Sequence, residues 1–171
     1  VIVHIMEMLR EWGVRDILVN LHHNPDPLFE HFRKNRLEGV RLCFSFESEI
    51  LGTGGALRRA DYFPGDEPFW VVNTDIAADV RPEPFLREFS RRQPLAALWL
   101  DPTRGPRTVE AAGGRITNFR SPRAGSPGTA TFCGLQLVSP ELMKWIPERG
   151  FSSIIEAYER AMQRGRVVAG V

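Results

Sequence analysis

A short apolar run that ends in polar residues constrains the fold more than any other feature of the sequence. Residues 69–72 read Phe-Trp-Val-Val, and Asn73, Thr74 and Asp75 follow them. A strand that is apolar on both faces is typical of a sheet covered by helices on both sides. The pattern therefore predicts a central strand of an α/β protein, with a carboxylate, Asp75, at its C-terminal end.

Helical and strand patterns alternate ahead of that run. Apolar residues at helical spacing predict a helix, and short runs rich in β-branched residues predict strands. A helix that leads directly into a strand is half of a βαβ unit, so we expect another strand before Val1 and interpret the sequence as a segment of a longer protein. The predicted helices cover residues 1–12, about 27–35 and about 54–60, and the predicted strands cover 16–21, 40–46 and 69–73.

The second half is richer in turn signals. Ser139 followed by Pro140 is typical of a helix start, because serine caps a helix and proline fits its first position. Strands separated by short Gly- and Pro-containing segments predict some antiparallel pairing. The predicted helices cover 82–92, 139–145 and 151–164, and the strands cover 95–100, 108–111, 115–119, 129–138 and a short one in 166–171.

Composition excludes several classes of partner. The 171 residues include 22 basic and 21 acidic side chains, which leaves no broad positive surface for nucleic acid. The apolar runs are too short to cross a bilayer. Cys43 and Cys133 lie far apart in strand patterns, as reduced cytosolic thiols do. We therefore expect one cytoplasmic domain over residues 1–171 with no nucleic-acid or membrane partner, and the oligomeric state is left unknown.

A glycine-rich stretch, Leu51-Gly52-Thr53-Gly54-Gly55, joins a predicted strand to a predicted helix. Free backbone N–H groups at a helix start attract an anion or a polar base edge, and glycine lets a ligand approach the backbone. The stretch is thus a candidate binding site, with a simple tight turn as the alternative.

Two residues after the apolar run, Asn73 and Asp75, each have two possible interpretations. Asp75 is placed to hold Mg²⁺, which takes one or two carboxylates together with substrate phosphates, or it caps a following helix over residues 76–78. Asn73 either faces a ligand or braces a turn. The pair therefore marks a candidate catalytic and metal site whose alternative is purely local structure.

Two other pairs of polar residues invite a functional interpretation that their pattern does not favour. His22 and His23 are adjacent, and neighbouring residues on an extended chain point in opposite directions. No metal-binding spacing surrounds them, so we expect a solvent-facing loop pair. Glu47 and Glu49 are expected to flank the glycine-rich stretch as solvated charges.

Four stretches of the sequence match a known family pattern and keep its order. They are Gly13–Leu21, Glu49–Leu57, Phe69–Asp75 and Thr131–Glu141. Together they resemble the sugar-1-phosphate nucleotidyltransferases, which include mannose-1-phosphate guanylyltransferases and uridylyltransferases acting on hexose or N-acetylmuramate 1-phosphates. The resemblance runs through nearly the whole chain. It implies a Rossmann-like three-layer nucleotidyltransferase fold with a mixed, mostly parallel sheet.

The resemblance implies transfer of a nucleotidyl group from a nucleoside triphosphate to a sugar 1-phosphate, with release of pyrophosphate and with Mg²⁺ as cofactor. Asp75 matches the family's metal-binding and catalytic Asp. Leu51, Gly52, Thr53, Gly54 and Gly55 match the turn beside the nucleoside, and Gly134 matches a position where backbone approaches the sugar. Asn73 joins the predicted substrate-binding residues from its place at the strand end.

The departures from the family pattern define the alternatives. The family's N-terminal glycine-rich signature is expected before Val1 and its second metal-binding Asp after Val171, so we expect this segment alone to be inactive. Thr74 replaces the usual glycine. A family lysine is missing near Phe119, where Arg120 or Arg123 either substitutes for it or is simply an exposed loop residue. A non-catalytic regulatory or binding subunit, and an unrelated α/β nucleotide-binding domain, are therefore alternative predictions.

Overall fold

The computed structural model describes residues 1–76 and 79–171. Each predicted helix and strand forms close to its predicted bounds. The helices are α1 (Ile2–Glu11), α2 (Asp26–Lys34), α3 (Gly52–Arg59), α4 (Glu83–Arg92) and α5 (Ile154–Gln163), and a 3₁₀ helix spans Pro140–Trp145. The strands are β1 (Asp16–Leu21), β2 (Arg41–Phe46), β3 (Phe69–Val72), β4 (Ala96–Asp101), β5 (Val109–Ala112), β6 (Arg115–Asn118), β7 (Thr129–Val138) and β8 (Val168–Gly170).

The strands form two sheets among the described residues. β1 and β2 pair in parallel, and the other six strands lie in the order β3-β7-β4-β8-β6-β5. β3, β4, β5 and β8 run in one direction, while β6 and β7 run in the other. The sheet is mixed, as predicted, but the larger sheet is not mostly parallel, since β4 and β8 are its only parallel neighbours among the described strands. The reason is that β7 inserts between β3 and β4, so strands of like direction are separated.

Alternating side chains divide the larger sheet into two buried faces. Ala96 and Leu98 of β4 pack in one apolar cluster with α5, whereas Ala97 packs in another with Phe85 of α4. The same alternation holds in β8, where Val168 faces α5 and Ala169 faces α4. Because successive side chains of a strand point to opposite faces, helices cover both sides of this sheet, which confirms the predicted three layers.

A third apolar cluster joins the two sheets. Ile5 and Leu9 of α1 pack with Ile17 of β1, and Trp70 and Val72 of β3 pack against the same cluster. Among the described residues, β1 pairs only with β2 and β3 pairs only with β7. The second edge of each strand is therefore unpaired there, and the further strand expected before Val1 stays a prediction.

No helix in residues 1–76 and 79–171 combines the length and the apolar character needed to cross a membrane.

Candidate active site

Asn73 and Gly134 meet where β3 ends. The backbone N–H of Asn73 donates to the carbonyl oxygen of Gly134 at 2.8 Å, which extends the pairing of β3 and β7 by one residue. Gly134 has a φ of +75°, and a Cβ there would lie 2.8 Å from Nδ2 of Asn73. The Asn73 side chain thus lies directly on the Gly134 backbone. Packing within the chain alone requires glycine at this position.

Asp75 is exposed, and among residues 1–76 and 79–171 it forms no ion pair. Its neighbours Asn73 and Thr74 are exposed as well. The alternative in which Asp75 caps a helix over residues 76–78 lies partly outside the described residues. The carboxylate is therefore available for a cation or a ligand at the end of β3.

This donor set fits a metal that is shared with a substrate. No group of three or more His, Cys, Asp or Glu side chains that could hold a metal occurs within the described ranges. Mg²⁺ does not need such a group, since it usually keeps several waters and binds one or two carboxylates plus phosphate oxygens. A single exposed carboxylate at Asp75 matches that mode of binding.

The glycine-rich stretch is docked onto the segment before α5. One carbonyl oxygen, that of Ser152, accepts from the N–H groups of Gly54 at 2.8 Å and Gly55 at 3.2 Å. In return, the N–H of Ser152 donates to the carbonyl oxygen of Leu51 at 2.8 Å. Two of the amides expected to be free for a ligand are therefore used inside the protein.

Close packing explains the glycines of this stretch. A Cβ at Gly54 would lie 2.9 Å from the Ser152 carbonyl oxygen, and one at Gly55 would lie 2.9 Å from that of Gly150. The Thr53 hydroxyl accepts from the N–H of Ile154 at 3.2 Å, which adds a further link to α5. Within the described residues the N–H groups of Gly52 and Thr53 have no protein acceptor, so these two remain the candidate ligand donors.

The prediction that Glu47 is a solvated charge is wrong. The side chain is 3 % exposed rather than solvated, and its Oε2 accepts from the N–H of Leu51 at 3.2 Å. Backbone N–H groups near a helix start lack partners in the helix itself, and a carboxylate nearby supplies one. The backbone of Glu47 also donates to Leu21 and contacts Nδ1 of His22 at 2.9 Å, so this residue joins the ends of β1 and β2 to the start of α3.

Glu49, His22 and His23 are exposed, as predicted. Glu47 differs from Glu49 in its position directly after β2, from which its side chain reaches back to the N–H of Leu51 in the glycine-rich stretch. This geometry depends on the pairing of β1 with β2, which the sequence pattern does not show.

The loop arginines are engaged elsewhere. Arg120 pairs with Glu159 at 3.2 Å, and Arg123 pairs with Glu110 at 3.1 Å. Hydrogen bonds from Ser121 and then Arg123 lower the pKa of Glu110 below its ordinary value. Both arginines are about two-thirds exposed, at 68 % and 67 %. Both arginines are therefore better interpreted as exposed loop residues than as substitutes for the lysine of the family pattern.

Cys133, next to Gly134, is a free, half-buried thiol. Its pKa is raised, chiefly because burial disfavours the thiolate. An activated cysteine nucleophile has a lowered pKa, so this thiol is placed beside the site without the character of a nucleophile.

The predicted residues therefore form two groups. Asn73, Asp75 and Gly134 lie at the end of β3, whereas Leu51 to Gly55 lie against residues 150–153. No hydrogen bond joins the two groups within the described ranges. Polar residues at the carboxyl end of a strand and free N–H groups at a helix start are typical of the class of α/β proteins that bind ligands at the carboxyl edge of their sheets.

The family is shown by comparison with known proteins. The model of the Nucleotidyl transferase family matches residues 1–108, so the chain belongs to this family. That membership excludes the unrelated α/β nucleotide-binding domain.

The chain is similar to curated mannose-1-phosphate guanyltransferases. It is 28 % identical to that of Yarrowia lipolytica over 172 residues, covering 95 % of this chain and 47 % of the relative. It is 39 % identical to that of Aspergillus fumigatus over 94 residues, covering 53 % of this chain and 26 % of the relative. The chain thus spans about half the length of the first of these relatives and less of the second.

Solved structures share the fold. HddC from Yersinia pseudotuberculosis superposes with a TM-score of 0.77 at 19 % identity, covering 97 % of this chain and 73 % of HddC. The inositol-1-phosphate CTP transferase from T. maritima gives a TM-score of 0.74 at 15 % identity, covering 98 % of this chain and 70 % of that chain. Likeness at these identities establishes the nucleotidyltransferase fold of the chain.

Proposed function

We propose that residues 1–171 form a single domain of an enzyme that transfers a nucleotidyl group from a nucleoside triphosphate to a sugar 1-phosphate. Family membership and the exposed Asp75 at the end of β3 carry this proposal. Support for a single domain comes from the apolar clusters, since Trp12, Trp70 and Val72 pack against two of them. Free, half-buried Cys43 and Cys133 suit a cytoplasmic protein.

In the proposed reaction a phosphate oxygen of the sugar 1-phosphate attacks the α-phosphorus of the nucleotide, and pyrophosphate leaves. Such a transfer depends on in-line positioning and on neutralising charge. Asp75 would hold Mg²⁺, which when bound neutralises phosphate charge. Asn73, whose backbone is held by Gly134, offers an exposed side-chain amide two residues before that carboxylate.

The nucleoside would lie against the start of α3. Gly52 and Thr53 keep unused N–H groups there, while Leu51, Gly54 and Gly55 hold the backbone in place through Ser152 and Glu47. Two N–H donors on a fixed backbone can recognise acceptor groups of a base or ribose without rearrangement. Leu51 to Gly55, Asn73 and Gly134 are therefore proposed as substrate-binding residues, and Asp75 as catalytic and metal-binding.

The decisive experiment measures Mg²⁺-dependent pyrophosphate release from a panel of nucleoside triphosphates and hexose 1-phosphates, using the full-length protein. Asp75→Asn should lower kcat/KM by at least about 100-fold, because a neutral amide stabilises the cation poorly. Asp66→Asn, at an exposed loop carboxylate, is the matched control and should retain the rate.

Absence of turnover with every substrate pair would contradict the enzyme and favour the alternative of a non-catalytic subunit. Thr74 is the observation behind that alternative, since it places a side chain beside Asp75. Calorimetry then separates the two, because a regulatory subunit binds nucleotide without releasing pyrophosphate.

A further inference from the structure

A cleft lies behind the glycine-rich stretch, between α3 and the segment before α5. It encloses about 250 Å³. Its basic lining consists of Arg58 and Arg59 from α3 and Arg149 from the facing segment, and its acidic lining is Glu148. Three guanidinium groups against one carboxylate leave a formal charge of +2 on the lining of this arginine cleft.

One ion pair neutralises only part of that charge. Arg58 contacts Asp61 at 3.2 Å, with the two side chains 29 % and 44 % exposed. Among residues 1–76 and 79–171, Arg59 and Arg149 form no ion pair. Like charges on facing walls of a concave surface concentrate the positive potential between them. An anion in the cleft would relieve that repulsion.

Size and chemistry select the anion. Pockets for drug-sized molecules usually enclose about 300–1,000 Å³, so this cleft suits a smaller ligand. Guanidinium groups bind phosphate oxygens through paired hydrogen bonds. A nucleic acid would need an extended basic surface instead of a small concave one. The lining therefore matches inorganic phosphate, pyrophosphate or the phosphate end of a small metabolite.

The cleft adjoins the proposed substrate-binding stretch, since Leu51 and Gly55 also line it, but Gly52 and Thr53, whose N–H groups are unused, are not part of its lining. Helix rise places Arg59 roughly 10 Å along α3 from Gly52. The two places are nevertheless linked, because the walls of the cleft are also the two segments that Ser152 joins through Leu51, Gly54 and Gly55. A ligand that bridges Arg149 and Arg59 would hold these walls together.

We propose that the arginine cleft is a regulatory site for a phosphate-bearing anion. Bound there, the anion clamps the segment around Ser152 onto α3 and stabilises the backbone of the glycine-rich stretch. Coupling between two sites is reciprocal, so the anion and a ligand at Gly52 and Thr53 raise each other's affinity. Binding in the cleft itself does not depend on the proposed enzyme activity.

Calorimetric titration with inorganic phosphate, at constant ionic strength set by sodium chloride, tests the binding. Saturable binding at one site is expected. Arg59→Gln and Arg149→Gln should each weaken it by at least about tenfold, because each removes charged hydrogen bonds to the anion. Arg33→Gln makes the same change of charge at a side chain 69 % exposed on α2, and it should leave the affinity unchanged. Circular dichroism confirms that each variant is folded.

Two results would overturn the site. One is binding that all three arginine variants retain equally, or no saturable binding at all. The other is binding that requires added Mg²⁺ and is lost in Asp75→Asn, which would place the phosphate on a cation at the proposed catalytic carboxylate. Parallel titrations with pyrophosphate and glucose 1-phosphate, each checked against Arg149→Gln, show whether the free anion or a phosphorylated metabolite binds more tightly.

Discussion

Gly134 illustrates how a single backbone position can set the geometry of a site. Its φ of +75° belongs to the left-handed region, and its missing Cβ makes room for the Asn73 side chain. The sequence marked Gly134 through family resemblance to a sugar contact. In the structure, glycine is favoured at this position because the Asn73 side chain lies against it. The pairing of β3 with β7 brings these two residues together.

Gly134→Ala is expected to destabilise the fold through two effects. A left-handed backbone costs an L-residue about 1–2 kcal/mol, and forcing a methyl group against Asn73 adds about 1–3 kcal/mol. Urea unfolding measures the sum. Gly165→Ala is the matched control, because its φ is +79° and its Cβ would meet nothing within 4 Å. Equal losses in the two variants would show that Asn73 does not depend on the missing Cβ.

Tyr158 gives the fold a dependence on alkaline pH. The side chain is buried on α5, its hydroxyl donates to Oε1 of Gln136 at 2.8 Å, and burial raises its pKa well above the ordinary value. The folded state therefore keeps a proton that the unfolded chain releases. The contribution of Tyr158 to stability should be constant below about pH 10, where unfolded tyrosine titrates, and should fall above it by up to about 1.4 kcal/mol per pH unit.

Urea unfolding between about pH 8.5 and 11 checks this slope against Tyr158→Phe. The variant should lose about 1 kcal/mol near pH 8.5, because Gln136 loses its donor, and should decline less steeply above pH 10. The raised pKa of Cys133 adds a decline of its own that both proteins share. An unchanged slope in Tyr158→Phe would assign the alkaline loss to other groups.

At the scale of elements, α5 depends on the same segment that supports the glycine-rich stretch. Ser152 bonds the start of α3, and its neighbour Ser153 caps α5 by accepting from the N–H of Ile155 at 3.2 Å. α5 in turn supplies Ala157, Tyr158 and Ala161 to the core. Two adjacent serines, Ser152 and Ser153, therefore stabilise the start of α3 and the start of α5, respectively.

Ser153→Ala should cost about 1 kcal/mol of stability, the usual cost of losing a serine cap. Ser90→Ala, at an exposed position within α4, is the matched control and should be neutral or slightly stabilising, since alanine favours a helix interior. Urea unfolding of both variants measures the difference. A loss in Ser90→Ala as large as that in Ser153→Ala would show that the cap is not the cause.

Local patterns account for what the sequence could predict about these elements. Apolar periodicity located the helices, and Ser139 was recognised as a cap that indeed accepts from the N–H of Glu141 at 3.3 Å. The partner of Gly54 and Gly55 was not predictable, because Ser152 lies far along the chain. The burial of Glu47 was missed for the same reason, since a carboxylate after a strand is normally solvated and only the folded turn encloses it.

At the scale of the whole molecule, the three layers followed from apolar runs, whereas the strand order did not. The run of Phe69 to Val72 predicted a strand covered on both faces, and Trp70 and Val71 indeed pack in different clusters. The insertion of β7 between β3 and β4 depends on contacts between distant segments. Periodicity within one strand does not indicate which strand lies next to it. The sequence therefore predicted some antiparallel pairing, but only the structure shows which strands are neighbours.

One edge of β3 has no pairing partner within residues 1–76 and 79–171, which bears on how the molecule behaves in solution. Charged residues and proline usually keep an exposed strand edge from pairing with another chain. Phe69 to Val72 contains neither. Short, uncharged segments of β-branched and aromatic residues are also the type that assembles into intermolecular sheets. The run that was predicted to form a central strand thus lies at the edge of the larger sheet among the described residues, where it is open to pairing with another chain whenever nothing lies beside it.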